Sequence, residues 1–328
     1  MEEAYKGKKV MVTGADGFIG SHLTERLVQY GAEVTAVVRA NSTTGAGRLD
    51  LKNIKHLIPQ LKDVIAVDIG SPDATNYIKR ARPQVIFHLA ADAYVNRSFH
   101  QPLEVARTNI NGTLNVLQAG LNENMKPVEW IERMVITSSS EVYGHHEDKI
   151  DESFVLKPSS PYGASKLAAD RLAFSYGNTF GLSVAIIRPF NTYGPRHTYD
   201  APPKFIRLAL EGNPITVYGD GAQTRDLMYV DDTINGFLTM GSHPQAVGQT
   251  VNFGTGRDTK IIELAKKVIE LTGSRSEIVH QEPRAAEVKR LCCNPGLAKK
   301  LFGWEAKISV EEGLRKNIEW TKSANKHG

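Results

Sequence analysis

The sequence predicts an α/β fold in which a doubly wound parallel sheet over residues 1–188 precedes a smaller mixed domain over 189–328. Short β-branched runs alternate with helix-length amphipathic segments up to Ile187, which is typical of a parallel sheet. A glycine-rich turn follows the first of these runs. Beyond Pro189, turn-rich polar sequence separates shorter helices and strands, and the pattern leaves room for segments that return to the sheet.

Composition excludes several classes of function. The 328 residues carry 40 basic and 36 acidic side chains, a formal charge of +4 with the bases dispersed, so we expect no nucleic-acid partner. The mild basic excess does suit a phosphorylated, anionic small molecule. The cysteines Cys292 and Cys293 are adjacent, which predicts neither disulfides nor a metal site and favours a reducing compartment. The polar N-terminus predicts no signal peptide and no apolar run predicts a membrane span, so we expect a cytoplasmic protein.

The glycine-rich turn predicts a dinucleotide site. A buried strand at Lys9–Thr13 leads into Gly14-x-x-Gly17-x-x-Gly20, and an amphipathic helix continues to Tyr30. The spacing is one residue longer than the common Rossmann fingerprint, but the physical roles carry over. Gly14 allows the tight turn, Gly17 the approach of a pyrophosphate, and Gly20 the packing of helix on strand. The alternative is a glycine turn without a ligand. The predicted cofactor contacts in this turn are Gly14, Asp16, Gly17, Phe18, Ile19 and Gly20.

Later strand ends predict the rest of the cofactor site. The second strand, Glu33–Val38, ends at Arg39, where binders of NAD carry an acid for the ribose 2′-hydroxyl. An arginine suits a 2′-phosphate and favours NADP over NAD, unless it is simply solvated. The third strand, Val64–Ile69, places Asp68 to accept from the adenine amino group. The fourth strand, Gln84–His88, precedes small residues, and its histidine is expected to be a core residue. Further predicted contacts are Ile69, Leu89, Ala90, Ala91 and Asn109, the last on a helix predicted over Pro102–Asn122.

A tyrosine and a lysine share the start of the next predicted helix. After a fifth strand at Ile131–Thr137, Ser160 suits the N-cap and Pro161 the first helical position. Tyr162 and Lys166 lie four residues apart and therefore on one helix face. A phenol titrates at about pH 10, and a neighbouring cation favours the phenolate. The pair can therefore supply a base near neutral pH. Taken alone, Y-x-x-x-K is common and equally fits an ordinary surface helix.

The remaining predicted elements are shorter. A sixth strand at Leu182–Ile187 completes the predicted sheet. The smaller domain is expected to hold helices at Lys204–Glu211, Asp231–Met240 and Ile261–Leu271, and strands at Ile215–Tyr218 and Thr250–Phe253.

In combination, five motifs resemble the extended short-chain dehydrogenase/reductase family, in its nucleotide-sugar epimerase and dehydratase branch. They are the glycine turn, the Tyr–Lys pair, and the segments Ser138–Gly144, Arg188–Arg196 and Gln223–Asp232. The resemblance implies that Tyr162 removes the proton of the sugar 4-hydroxyl, assisted by Lys166, which also holds the nicotinamide ribose. It implies that Ser139 hydrogen-bonds the same oxygen and that Asn109 orders the site. It implies a tightly bound, recycled cofactor and a nucleotide-diphosphate sugar as substrate. The implied substrate contacts are Ser140, Asn191, Arg225 and Arg284, the last three on the diphosphate.

Glu141 discriminates among the activities that the resemblance allows. It lies two residues after Ser139, where 4,6-dehydratases of this branch carry the glutamate that removes the carbon-5 proton, so a 4,6-dehydratase is the leading expectation. Ser140 stands where dTDP-glucose dehydratases carry a paired aspartate, and the pattern is more similar to GDP-mannose dehydratases and UDP-glucuronate decarboxylases. A 4-epimerase ranks second, a decarboxylase third and a non-catalytic cofactor-binding protein last. The resemblance also implies a homodimer built on helices Pro102–Asn122 and Pro161–Phe180, although their apolar faces would equally fit the core.

Overall fold

A computed structural model describes residues 1–39, 51–283 and 288–324 of the chain. The chain forms two compact units. The first comprises Met1–Val142, Ser160–Arg188 and Ile234–Val251, and the second comprises Tyr143–Ser159, Pro189–Thr233 and Asn252–Gly328. The functional division into 1–188 and 189–328 stays a prediction.

Strands and helices alternate through the first half of the chain. The strands are β1 (Lys9–Thr13), β2 (Glu33–Val38), β3 (Asp63–Ala66), β4 (Val85–His88), β5 (Arg133–Thr137), β6 (Val184–Pro189), β7 (Asn191–Tyr193), β8 (Ile215–Tyr218), β9 (Thr224–Tyr229), β10 (Thr250–Phe253), β11 (Asp258–Lys260), β12 (Ile278–Gln281) and β13 (Arg290–Leu291). The helices are α1 (Phe18–Gln29), α2 (Asp73–Ala81), α3 (Val95–His100), α4 (Pro102–Ala106), α5 (Gly112–Ala119), α6 (Pro161–Phe180), α7 (Ala201–Leu210), α8 (Val230–Ser242), α9 (Ile261–Thr272), α10 (Gly296–Phe302) and α11 (Val310–Ala324).

The central sheet confirms the predicted fold class. Its seven strands follow the order β10-β6-β5-β4-β1-β2-β3, and the pairs from β6 through to β3 are parallel. The order reverses at β1, which is the kind of switch point beside which ligands bind in open α/β sheets. The register aligns Thr13 with His88, and His88 with Ile136, so β1, β4 and β5 end level with one another. Residues that follow these strands therefore meet at one edge of the sheet.

The centre of the sheet is buried on both faces, as is usual for parallel strands. In β1 every residue after Lys9 is buried, and in β4 all four residues are. Met11 and Ile86 pack in one apolar cluster with Val116 and Leu117 of α5, which covers one face of the sheet. Of the three leucines on the apolar face of the predicted helix Pro102–Asn122, Leu114 is half-buried, and Leu117 and Leu121 are core residues with 0% and 1% exposure.

Three predicted elements were wrong in detail. The single helix predicted over Pro102–Asn122 is divided into α4, a π-helical turn at Arg107–Asn111, and α5. It ends before Asn122 because that side chain instead accepts hydrogen bonds from the backbone of Asn124 and Lys126, which folds the chain into a turn. The third strand ends at Ala66, since Asp68 turns to accept from the Gly70 amide. The strand Thr250–Phe253 joins the central sheet as β10 rather than the smaller domain.

The second unit is organised around β9. This strand pairs in parallel with β7 and β13 and antiparallel with β11, while β8 and β12 form a separate parallel pair. Helices α7, α9 and α11 pack on one another. Among the helices of the described residues, none combines the length and the hydropathy needed to cross a bilayer.

Candidate active site

The helix that carries the predicted tyrosine and lysine begins as its sequence dictates. The Ser160 side chain accepts a hydrogen bond from the Gly163 amide at 3.0 Å, and Pro161 occupies the first turn. Helix α6 therefore has a fixed start. Tyr162 follows Pro161 in the first turn and is 9% exposed, and Lys166 lies one turn further on and is 5% exposed. Both side chains are held inside the unit on one face of the helix.

Lys166 is anchored to the end of a central strand. Its Nζ donates to the carbonyl oxygen of Thr137, the last residue of β5. Burial lowers the pKa of Lys166 to about 8, and the charge of Asp170, one turn further along α6, opposes that fall. Asp170 is fully buried and accepts from Arg188 of β6 at 2.8 and 3.1 Å. The ammonium thus sits near a buried ion pair and retains a proton around neutral pH.

The serine and the glutamate follow the same strand. Ser139 and Ser140 are buried, and the short helical turn Ser140–Val142 packs against α6. The Glu141 amide donates to the Ser139 hydroxyl oxygen at 3.1 Å, and the Glu141 residue is half-buried. The structure therefore brings Ser139, Glu141, Tyr162 and Lys166 to one edge of the sheet, as the motifs predict. Their catalytic roles remain predictions.

The glycine turn fits a dinucleotide pyrophosphate. Gly14 has φ +72°, and a Cβ there would lie 2.9 Å from the Ala90 backbone. A Cβ on Gly20 would overlap the Gly14 carbonyl oxygen, so a side chain would push α1 off β1. Gly17 caps α1 without a side-chain hydrogen bond, and the first turn of that helix carries no acidic residue. The first-turn amides of this twelve-residue helix have no carbonyl acceptor within the helix, and the helix begins directly after the close-approach turn, which suits an anion.

Two of the predicted contacts in this turn already have protein partners. The Asp16 carboxylate accepts from the backbone amides of Lys52, Asn53 and Ile54 at 2.7–3.0 Å. The Phe18 ring packs edge-on against His22. Asp16 thus holds the chain that returns toward the turn, a contact that sequence spacing does not reveal.

A cluster of charge surrounds Asp68 beyond β3. Burial raises the pKa of Asp68, but the hydrogen bond from Arg107 at 2.7 Å and the Gly70 amide at 3.0 Å outweigh that effect and lower it. Arg39 lies 3.9 Å from the same carboxylate and is about half exposed. Arg107 belongs to the π turn and was not predicted from the sequence, because only the fold carries it across to Asp68. Residues 40–50, which directly follow Arg39, lie outside the described residues.

The cofactor contacts predicted after β4 line the same edge. Leu89, Ala90 and Ala91 are half-buried, and the Ala90 amide donates to the Thr13 hydroxyl oxygen at 3.1 Å. Ile69 is buried at 5% exposure. Asn109, at 1% exposure, accepts from the Asp92 amide at 2.8 Å and donates to Ser165 at 2.9 Å, which links it to α6.

The predicted substrate contacts of the second unit lie on neighbouring strands. Asn191 begins β7, and its buried Oδ1 has no hydrogen-bond partner within the described ranges. Arg225 on β9 donates to the carbonyl oxygens of Thr224 and Val288 at 2.9 and 2.7 Å, so its guanidinium is tied to the backbone. Arg284 lies outside the described residues. Their roles toward a diphosphate stay predictions.

Asp226, which directly follows Arg225 in the motif Gln223–Asp232, is a structural acid. It is fully buried and accepts from Thr255, Gly256 and Cys293 through four hydrogen bonds of 2.6–3.1 Å. Burial raises the pKa of its carboxyl, and those donors oppose the rise. The residue ties two segments of the second unit, one with Thr255 and Gly256 and one with Cys293, to β9, and its role is structural.

This parallel sheet, with a glycine turn after its first strand and a buried Tyr–Lys pair at one edge, is that of the extended short-chain dehydrogenase/reductase family. Within it, the chain belongs to the GDP-mannose 4,6 dehydratase family, whose family model matches residues 11–317.

Relatives of this chain carry several activities. A trifunctional protein of Arabidopsis thaliana, named first as a UDP-glucose 4,6-dehydratase, is 32% identical over 97% of this chain and 48% of its own length, so the chain spans about half of that relative. The UDP-glucuronic acid decarboxylase 1 of Xenopus tropicalis is 34% identical over 98% of this chain and 73% of its own. The solved UDP-glucuronic acid 4-epimerase of Bacillus cereus, in complex with UDP-glucuronic acid and NAD, is 28% identical with a TM-score of 0.85. It covers 96% of this chain and 99% of its own.

Proposed function

We propose that the protein is a nucleotide-sugar 4,6-dehydratase, and the observation that carries the proposal is Glu141. This glutamate is the middle residue of the turn Ser140–Val142, which directly follows Ser139 and packs against α6. A half-buried carboxyl beside a buried serine can work both as a base and as an acid in a site from which water is excluded.

The first step is oxidation at carbon 4 of the sugar. Tyr162 accepts the proton of the 4-hydroxyl, while the Ser139 hydroxyl donates a hydrogen bond to the same oxygen. The Lys166 ammonium stabilises the phenolate and holds the nicotinamide ribose. When bound, the nicotinamide supplies the acceptor for the carbon-4 hydride. Burial of Tyr162 and Lys166 strengthens their electrostatic interaction, because water does not screen it.

Glu141 then acts on the 4-keto sugar. The ketone acidifies the carbon-5 proton, which the carboxylate removes as a general base. The same carboxyl, now protonated, donates to the 6-hydroxyl as it leaves as water. With a nicotinamide cofactor bound, the hydride would return to carbon 6 of the resulting enone while carbon 5 takes a proton from solvent, which regains the proton held by Tyr162, and the product would be a 4-keto-6-deoxy sugar. Ser140, Asn191, Arg225 and Arg284 are proposed to hold the substrate, the last three at its diphosphate.

A 4-epimerase is the second candidate, because Ser140 stands where some dehydratases have an aspartate. In that case the keto sugar turns over and the hydride returns to carbon 4, with no task for Glu141. The Bacillus cereus enzyme and the Xenopus tropicalis decarboxylase, similar to this chain over nearly all its length, support an epimerase second and a decarboxylase third.

The experiment is turnover of GDP-, UDP-, dTDP- and CDP-sugars in deuterated water, followed by NMR and mass spectrometry. A dehydratase gives a product lighter by one water with deuterium introduced at carbon 5. Glu141→Gln should abolish water loss, whereas the matched Glu147→Gln, at a side chain 85% exposed, should leave it unchanged. A product of unchanged mass without deuterium would replace the proposal with the epimerase. A product lighter by carbon dioxide would replace it with the decarboxylase.

We further propose NADP as the cofactor, with NAD as the alternative. Arg39 immediately follows β2 and is about half exposed, which suits a guanidinium that receives a 2′-phosphate. Asp68, 3.9 Å from Arg39, is engaged by Arg107 and does not neutralise both arginines.

We propose a homodimer in which α4 and α6 face their counterparts. Leu103 is 83% exposed and Phe174 is 49% exposed, so each leaves apolar surface uncovered. Light scattering should give twice the chain mass, and Leu103→Glu with Phe174→Glu should give the monomer mass. A wild-type monomer would contradict the proposal.

A further inference from the structure

A buried histidine joins two parts of the site that the proposed chemistry does not connect. His88, the last residue of β4, is 2% exposed. Its Nδ1 lies 2.8 Å from the Thr13 hydroxyl oxygen, at the end of β1, and its Nε2 lies 3.1 Å from the Thr113 hydroxyl oxygen on α5. The ring therefore bridges the strand that precedes the glycine turn and the helix that follows the π turn.

The hydrogen bonds of the two threonines determine where the ring proton lies. The Thr113 hydroxyl donates its hydrogen to the Asn109 carbonyl oxygen at 2.7 Å, so toward His88 it can only accept. Nε2 must then carry the proton, and Nδ1 must accept the hydrogen of Thr13. The Thr13 oxygen in turn accepts from the Ala90 amide at 3.1 Å. Four hydrogen bonds run in one direction, from the Ala90 amide to the Asn109 carbonyl.

The chain of hydrogen bonds continues to the catalytic helix. The Asn109 amide nitrogen donates to the Ser165 hydroxyl oxygen at 2.9 Å, and Ser165 donates to the Tyr162 carbonyl oxygen at 2.7 Å. We propose that neutral His88, protonated at Nε2, is a positioning residue that fixes the π turn and, through Asn109, the Tyr162 turn of α6 relative to the glycine turn. The proposal rests on the oxidation step proposed above, whose geometry it would set.

The surroundings of the ring keep it neutral. Burial lowers the pKa of His88 to about 3, and the charge of Lys166 lowers it further. A second ring proton would also meet the donor hydrogen of Thr13 and reverse that bond. Between pH 5 and pH 9 the ring therefore keeps the same two hydrogen bonds, one at each nitrogen, and takes no part in proton transfer.

Thr113→Val tests the proposal because it removes the hydroxyl at the centre of the chain with little change of shape. The matched control is Thr75→Val, which removes a hydroxyl that donates to the Asn115 carbonyl of the same helix at 3.0 Å. We expect kcat to fall about 10- to 100-fold in Thr113→Val, since a displacement below 1 Å at the reacting groups has this effect, with KM unchanged. Thr113→Ser should restore kcat, and Thr75→Val should retain it.

Two measurements need no substrate and keep the test independent of the proposed function. Nitrogen-15 NMR of the wild type should show His88 protonated at Nε2 alone from pH 5 to pH 9. Amide exchange at 109–113 and 162–166 should accelerate in Thr113→Val and not in Thr75→Val. A ring protonated at Nδ1, titration in this range, or equal exchange in both variants would overturn the inference. If no nucleotide sugar is turned over while NMR and exchange behave as expected, the proposed function fails and the positioning network stands.

Discussion

Asp170→Asn should cost stability and also move the pH dependence of catalysis. The Asp170 side chain is 0% exposed and that of Arg188 is 2% exposed, so the substitution leaves a buried guanidinium without its counter-charge. Breaking such a buried pair costs about 3–5 kcal/mol. Arg171 contacts the same carboxylate from the surface with 43% exposure, and Arg171→Met should cost only about 0–1 kcal/mol. The difference between the two losses of stability reports the effect of burial, because Arg188 and Arg171 both pair with the Asp170 carboxylate.

The effect on catalysis passes through Lys166. The pKa of this lysine, about 8, is supported by the charge of Asp170 against the effect of burial. Removal of the Asp170 charge lowers the pKa of Lys166 further. The ammonium is then lost at lower pH, and the alkaline limb of the kcat profile shifts to lower pH. Urea unfolding and a kcat profile from pH 5 to 10 measure the two effects. An unshifted alkaline limb in a folded variant would refute the electrostatic part.

The stability difference itself depends on pH. Burial raises the pKa of Asp170, but the hydrogen bonds and charge of Arg188 outweigh this and hold it below its unfolded value. The ion pair therefore contributes fully above the unfolded pKa and is lost as pH falls through the folded one. The difference in unfolding free energy between the wild type and Asp170→Asn should therefore begin to shrink near about pH 4 and should decrease further as the pH falls.

Three further substitutions test the remaining parts of the site. Tyr162→Phe should lower kcat by about 10²–10⁴ with an unchanged melting temperature, and retained turnover of every nucleotide sugar would remove the catalytic role. Gly20→Ala should lose bound dinucleotide on gel filtration, because its Cβ overlaps the Gly14 carbonyl, whereas Gly177→Ala, with 3.6 Å to its nearest neighbour, should retain it. Arg39→Asp should lower the affinity for NADP relative to NAD by about 10-fold or more in calorimetry, as expected for loss of a charged hydrogen bond, and an unaltered ratio would contradict the NADP proposal.

Local signals predicted most of the fold, and tertiary contacts account for the differences. The observed bounds of α6, Pro161–Phe180, equal the predicted ones, because the Ser160 cap fixes its start and the left-handed Gly181 fixes its end. The helix after Pro102 divides because Asn109 and Thr113 form hydrogen bonds that periodicity does not encode. Arg107 reaches Asp68 only once the π turn has formed, so no spacing could have indicated it.

The site contains two kinds of residue with different tolerance for change. Tyr162 and Lys166 are held by a capped helix, a strand carbonyl and a buried ion pair, so a change to any of these should alter the proposed oxidation at carbon 4. Glu141 extends from a three-residue turn and contacts this framework through its amide and Ser139. A change of the Glu141 side chain should therefore redirect the proposed 4-keto sugar without disturbing the step that forms it. On this reasoning Glu141→Gln should still oxidise carbon 4, visible as reduced cofactor, while elimination stops. Loss of both steps together would show that Glu141 belongs to the oxidation machinery.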